Sequence, residues 1–272
     1  ATNVIERPLL SVITPVDLDH AEFLGTDLAT IAGEKAGILK AGARGFVARQ
    51  AETAMATINH HASVAHTPLT VMGVDFDAWD ERGGMVYQDQ SQFLDLPAPS
   101  LYGSHQIDNA GLAIAVALEL DLSSDAIMAG LTSTRWPARM QRITVGPYGD
   151  RARIAEAELW LDGGHNPHAA GALAQNLINR NAIAPRPLAL IVGMLSNKDA
   201  GGFFEALSST AASVFTVGFE GTATDPDALA AVARGHGLGA QSAETVEIAL
   251  DRALRLGAGR VVICGSLYLA GE

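Results

Sequence analysis

Two short stretches hold the residues best suited to chemistry. The first is "LWLDGGHNPHAAGAL", in which Asp162, Gly163, Gly164, His165 and Asn166 follow an apolar strand pattern and open a helical one. Paired glycines let a ligand approach the backbone closely, and a helix N-terminus favours an anion. Asp162 suits the hydroxyls of a ribose as an acceptor, and His165 suits a phosphate as a donor. The same residues also suit an ordinary strand-to-helix turn with Asn166 and His168 as caps. The stretch is neither GxGxxG nor GxxxxGK[ST].

The second is "VDLDHAEFLGTDLATIAGEKAGILKAG", Val16 to Gly42, which sets His20 before a helix and Lys35 near its far end. Neutral imidazole is a common metal ligand, whereas an ammonium group has no lone pair to offer. Lys35 joins a metal site only if its amine is converted to an anion or reaches past the metal to a phosphate. In the plainer alternative, Asp19 and His20 cap a helix and Glu34–Lys35 is a solvated pair. Further along, "GSHQIDNAGLA" sets His105, Gln106 and Asn109 at a helix start. A carboxamide carries donor and acceptor together and suits an adenine edge; capping by Ser104 with Asn109 merely exposed is the alternative. "PARMQRI" brings Arg139 and Arg142 to an expected hinge, where a guanidinium can clamp a phosphate or make an interdomain salt bridge.

The surrounding pattern supplies elements to position these groups. "PLLSVITPV" and "RGFVAR" read as strands around a helix at Thr26–Ala36, stopped by Gly37 and Gly42. Another helix is expected near Ala51–His61. "MVYQDQ" and "QFLDLPAP" read as short antiparallel strands near the turn Arg82-Gly83-Gly84. "SHQIDNAGLAIAVALEL" and "SSDAIMAGLTST" read as helices, and Pro137 stops the pattern. From about Thr144, bare apolar strands alternate with helices, which predicts a doubly wound, largely parallel sheet. Asn166 with Pro167, and Asp225 with Pro226, mark two helix starts there.

Composition narrows the function classes. The 272 residues are 48% hydrophobic and 18% charged, which is ample core material for two domains. A net charge of -12 argues against nonspecific nucleic-acid binding, though a local anion site remains compatible with it. No apolar run reaches the roughly 18 residues of a membrane helix, and "ATNVIERPLL" has no signal-peptide pattern. The single cysteine, Cys264, fits a reducing cytoplasm; within "RVVICGSL" it reads as a small core residue, with a reactive role as the alternative.

Taken together and in this order, "LDHAEFLG", "IAGEKAGILK", "GSHQIDNA", "PARMQRI" and "LDGGHNPHAA" resemble the motifs of the folylpolyglutamate synthase/dihydrofolate synthase family of the Mur ligase superfamily. "GMLSNKD", Gly193–Asp199, resembles a further family segment. The resemblance implies an α/β protein: a partial central ATPase domain over 1–137, a hinge at 138–143 and a C-terminal glutamate-ligase domain over 144–272. It implies an ADP-forming ligase, cytoplasmic and monomeric when intact. In that chemistry ATP activates the carboxylate of a folate or dihydropteroate as an acyl phosphate, and the amine of L-glutamate displaces the phosphate. By position, His20 and a carbamylated Lys35 would hold Mg²⁺, and Asn109 would contact adenine. Arg139 would meet phosphate, Asp162 would hold ribose, and His165 would hold the phosphates. Lys35 and His165 are the implied catalytic residues, and Ala1 falls at the edge of the folate contacts. A nucleotide gripped in this way closes two domains around the reacting groups.

The chain departs from the family in two respects: no GxxxxGK[ST] occurs in it, and the magnesium-binding Glu that the family carries upstream of the segment resembling "ATNV" is missing from it. The expectation is therefore the rear part of a longer synthase, inactive toward ATP when alone. Three other readings compete with it. They are a non-catalytic binding module, a Mur-type ligase acting on a cell-wall precursor, and a nucleotide-binding oxidoreductase, though the last expects a GxGxxG that is absent.

Overall fold

A computed structural model of the chain describes residues 3–17, 27–210 and 212–271. Ala1 and His20 lie outside the described residues, so the expectations placed on them have no structural counterpart here. The chain divides into two compact units, Ala1–Ser100 with Ser104–Arg135, and Leu101–Gly103 with Trp136–Glu272.

In the first unit, β1 (Leu10–Ile13), α1 (Leu28–Ala36), β2 (Arg44–Val47), α2 (Glu52–Ala65) and β3 (Leu69–Val71) build a parallel sheet in the order β1-β2-β3. α1 starts where the Asp27 carboxylate accepts from the Thr30 amide at 2.8 Å, and it buries Ile31, Ala32 and Ala36. α2 runs about a turn beyond its expected end, to a left-handed His66 with φ 51°.

An antiparallel sheet follows, of β4 (Phe76–Glu81), β5 (Gly84–Asp89) and β6 (Phe93–Pro97). Arg82 and Gly83 both take positive φ, which matches the twist of a two-residue hairpin. α3 (Ser104–Glu119) lies against β4; a Cβ on Gly111 would sit 2.5 Å from the Cβ of Ala78, so only glycine permits that approach. α4 (Ser124–Ser133) completes the unit, capped by Ser123.

The second unit is doubly wound. Its elements are β7 (Gln141–Arg142), α5 (Gly146–Ile154), β8 (Glu158–Leu161), α6 (Pro167–Ile183), β9 (Leu188–Val192), α7 (Ala200–Leu207), β10 (Ser213–Thr216), α8 (Pro226–Gly235), β11 (Gly239–Ser242), α9 (Val246–Arg255) and β12 (Arg260–Cys264). The strand order is β11-β10-β9-β12-β8-β7, parallel except for the β7–β8 pair.

Strand alternation feeds two cores. Trp160, Leu190, Val192, Val214, Val262 and Cys264 face α6, α7 and α8, while Leu159, Ala189, Ile191, Phe215, Val261 and Ile263 face α5 and α9. Both faces are covered, which is why these strands read as unbroken apolar runs. α5 has no counterpart among the expected elements, because "GPYGDRARI" buries only Gly149 and Ala152 and carries little apolar periodicity. The stretch 138–143 clusters with the second unit, where Gln141 and Arg142 pair with Leu161 and Trp160 of β8.

Candidate functional site

The loop after β8 is held from two directions. One oxygen of the buried Asp162 carboxylate, Oδ1, accepts from the Gly164 amide at 2.8 Å, and the other, Oδ2, accepts from the Met140 amide at 3.0 Å. The Gly163 amide in turn donates to the Ala138 carbonyl at 2.7 Å. Arg139 therefore projects from a backbone whose two flanking residues are both bonded to the Asp162–Gly164 turn. Ala138 and Met140 adopt left-handed φ of 54° and 43°. Such conformations cost non-glycine residues about 1–2 kcal/mol each, and strain of this kind concentrates at functional sites.

Arg139 is exposed and makes no ion pair with any described residue. Its guanidinium is thus available to an anion. Arg142, read beside it in the sequence, takes another course and stacks on the Trp160 ring, 5.8 Å from the centroid.

The half-buried His165 has Nδ1 at 3.0 Å from the Gly163 carbonyl. A carbonyl only accepts, so Nδ1 carries the proton and Nε2 of the neutral ring is an acceptor. Donation from Nε2 to a phosphate thus requires the imidazolium form. Just beyond, Asn166 caps α6 through Oδ1, which accepts from the Ala169 amide at 2.8 Å, and Pro167 occupies the first turn. The helix N-terminus consequently opens beside His165.

A neighbouring loop completes the floor. After β12, the Gly265 amide donates to the Gly164 carbonyl at 3.0 Å. A Cβ on Gly163 would lie 2.2 Å from Leu267 Cδ2, so the two loops touch. This loop carries the buried Ser266 and the exposed Leu267 and Tyr268. The only sequence signal for it was its place after an apolar strand adjacent to β8, and that adjacency is a tertiary fact.

In the first unit, Lys35 lies exposed in the last turn of α1, and neither it nor Glu34 pairs with a described residue, so the expected solvated pair is absent. Among the described residues no cluster of three His, Cys, Asp or Glu side chains could hold a metal. A free, exposed amine does fit the donor chemistry of carbamylation, whereas an ammonium does not fit a metal site. Asn109 is exposed on α3, and its Nδ2 donates to Gln106 Oε1 at 3.1 Å.

At the other end of the second unit's sheet, Glu158 accepts from Arg260 Nε at 2.8 Å, Arg180 Nε at 3.2 Å and Trp160 Nε1 at 3.1 Å. Burial alone would raise the Glu158 pKa, but these hydrogen bonds outweigh it and hold it at about 2. Arg180 also lies 4.3 Å from the Trp160 ring centroid and 5.2 Å from that of Tyr102. This cluster sits at the amino ends of β8 and β12, away from the loops described above, and its role is structural.

Comparison with known proteins adds the following. The family model for "Mur ligase, glutamate ligase domain" matches residues 139–267. A dihydrofolate synthase/folylpolyglutamate synthase of Mycobacterium tuberculosis is 32% identical across 94% of this chain, which covers 54% of that protein. The crystal structure of Mycobacterium tuberculosis folylpolyglutamate synthase complexed with ADP and AMPPCP aligns with a TM-score of 0.81 at 30% identity, covering 99% of this chain and 64% of that one. A Yersinia pestis bifunctional folylpolyglutamate synthase/dihydrofolate synthase complexed with AMPPNP and a Mn ion aligns with a TM-score of 0.81 at 27% identity, covering 99% of this chain and 61% of that one. The chain spans about half the length of the curated relatives it matches.

Proposed function

Because the chain belongs to the Mur ligase superfamily, on the branch of the folylpolyglutamate and dihydrofolate synthases, we propose that it forms the rear part of an ATP-dependent ligase that joins L-glutamate to a folate or dihydropteroate carboxylate. One observation carries the reading: the Asp162–Gly164 turn is bonded through Asp162 and Gly163 to both neighbours of Arg139. An acidic acceptor, a free guanidinium, an imidazole and a helix N-terminus thus share the carboxyl end of one strand, where doubly wound sheets take nucleotides.

In this reading Asp162 accepts from ribose hydroxyls with the lone pairs its two backbone bonds leave. Arg139 and protonated His165 meet the phosphates, and the N-terminus of α6 adds a favourable field. Taken by itself, Asn109 of the first unit carries the donor and acceptor that suit an adenine edge. The acyl phosphate forms when the substrate carboxylate attacks the γ-phosphorus and ADP leaves. The glutamate amine then attacks the acyl carbon, phosphate departs with the bonding pair, and the amine loses a proton. Catalysis of this kind rests on positioning and charge neutralisation.

A magnesium ion would be held by His20 and by Lys35 as its carbamate. When bound, it would offset the negative charge of the phosphates. The fit rests on the exposed Lys35 amine, which has no ion-pair partner among the described residues.

The test has two arms. Titrating ADP into the chain should show binding that Asp162→Ala abolishes; equal affinity in the variant would reject the site. The longer protein that carries this chain should incorporate labelled L-glutamate into a folate or dihydropteroate, with ATP consumed. Incorporation into a cell-wall precursor instead would reject the folate assignment and leave the ligase fold intact.

A further inference from the structure

Asn109 does not stand alone on α3. Gln106, one turn earlier, is only 7% exposed and is bonded on both sides. Its Oε1 accepts from Asn109 Nδ2 at 3.1 Å, and its Nε2 lies 2.9 Å from His105 Nε2. A carboxamide nitrogen only donates, so His105 receives that hydrogen on the lone pair of Nε2. The three side chains form a relay of one polarity, from Asn109 through Gln106 to His105. Asn109 keeps Oδ1 and the second hydrogen of Nδ2 for a ligand.

We propose that Gln106 is a positioning residue that fixes the rotation of the Asn109 carboxamide and thereby selects a 6-amino purine over a 6-oxo purine. This rests on the reading of Asn109 as the adenine contact. Adenine offers a donor at its 6-amino group and an acceptor at the adjacent ring nitrogen, and a carboxamide with its oxygen toward the amino group matches both. A 6-oxo purine reverses the pair, with an acceptor at position 6 and an N1–H donor. A carboxamide turned over by 180° would match that base equally well. In isolation the two rotations differ little in energy. Here, turning Asn109 over would set its Oδ1 against Gln106 Oε1, two acceptors face to face, unless the whole relay reversed. A polar group left facing its like is costly where water is excluded, and a buried Gln106 meets that condition.

The experiment measures dissociation constants of ADP and IDP, which differ in the base only at position 6 and its ring neighbour. The full chain is compared with Gln106→Met, Gln106→Glu and Asn109→Ala, each checked for folding by thermal unfolding. Gln106→Ser serves if Gln106→Met does not fold.

The unaltered chain should prefer ADP by about tenfold or more. Gln106→Met frees the carboxamide and should bring the ratio to within about twofold. Gln106→Glu keeps an acceptor toward Asn109 and should retain the preference. A role in stability alone would weaken both nucleotides together and leave the ratio unchanged. The relay is overturned if Gln106→Met keeps the full ratio while Asn109→Ala removes it, or if Gln106→Glu loses it as Gln106→Met does. If Asn109→Ala leaves the ratio unchanged, or the unaltered chain shows no preference, the adenine reading of Asn109 fails and this proposal falls with it.

Discussion

The Met140 amide donates to Asp162 Oδ2 at 3.0 Å, across 22 residues of sequence. That bond, with the Gly163-to-Ala138 bond beside it, decides where Arg139 stands. A basic residue in a coil segment is thereby given a fixed origin next to an acidic turn. The carboxylate that would receive a ribose is the same group that holds the arginine's backbone.

Asp162→Asn tests this double duty. Asparagine offers one acceptor and one donor, so either the Gly164 or the Met140 amide would face an NH₂ group. The variant should lose about 1–3 kcal/mol of stability and also bind ADP more weakly. Urea unfolding and nucleotide titration measure the two effects; a variant as stable as the parent would show that the bonds to Met140 and Gly164 do not hold the turn.

Arg139→Ala should separate binding from stability. The side chain is exposed and has no carboxylate partner among the described residues, so its loss should change stability by less than about 0.5 kcal/mol. Affinity for ADP should fall by about tenfold, as expected for the loss of a charge-assisted contact to phosphate. A stability loss with unchanged ADP affinity would point to an unseen salt bridge instead.

Glu158 makes the second unit sensitive to acid. Its folded-state pKa, about 2, lies below the ordinary 4.5. The stabilisation from its hydrogen bonds to Arg180, Arg260 and Trp160 is therefore complete above pH 4.5 and is lost as pH falls from there toward 2. Stability measured against pH should slope downward across that window, and Glu158→Gln should remove its share of the slope. Glu158→Ala leaves Arg260, only 1% exposed, without its carboxylate. It should cost about 3–5 kcal/mol, as expected when one member of a buried pair is removed. Arg260 also donates to the Ala184 carbonyl at 3.1 Å and to Asn181 Oδ1 at 3.4 Å, and a loss below about 1 kcal/mol would mean that these acceptors or water satisfy the guanidinium unaided.

Cys264 should be chemically silent. Burial first, and the Asp162 charge second, push its thiol well above the ordinary range, and it is 1% exposed. The thiolate is the reactive form, so a disulfide reagent should modify the native protein only at the rate of unfolding and react at once in denaturant. Fast modification of the native chain would revive the reactive role that its sequence context left open.

The sequence by itself determined what is local or periodic. The caps at Asn166 and Asp225 accept from backbone amides within three residues, so a short window of residue types suffices to find them. The bare apolar strands announced a sheet buried on both faces, and the ordered motifs named a family. α5 escaped notice because it has almost no apolar stripe to detect. The tertiary structure alone decided what depends on distant partners. It gave Arg139 a fixed place through Asp162, and it sent Arg142 onto Trp160 rather than toward the site. It also brought the Gly265–Tyr268 loop against Gly163 and Gly164 by setting β12 beside β8. A parallel neighbour is chosen by how crossovers pack on the sheet, and no spacing along the chain encodes that choice.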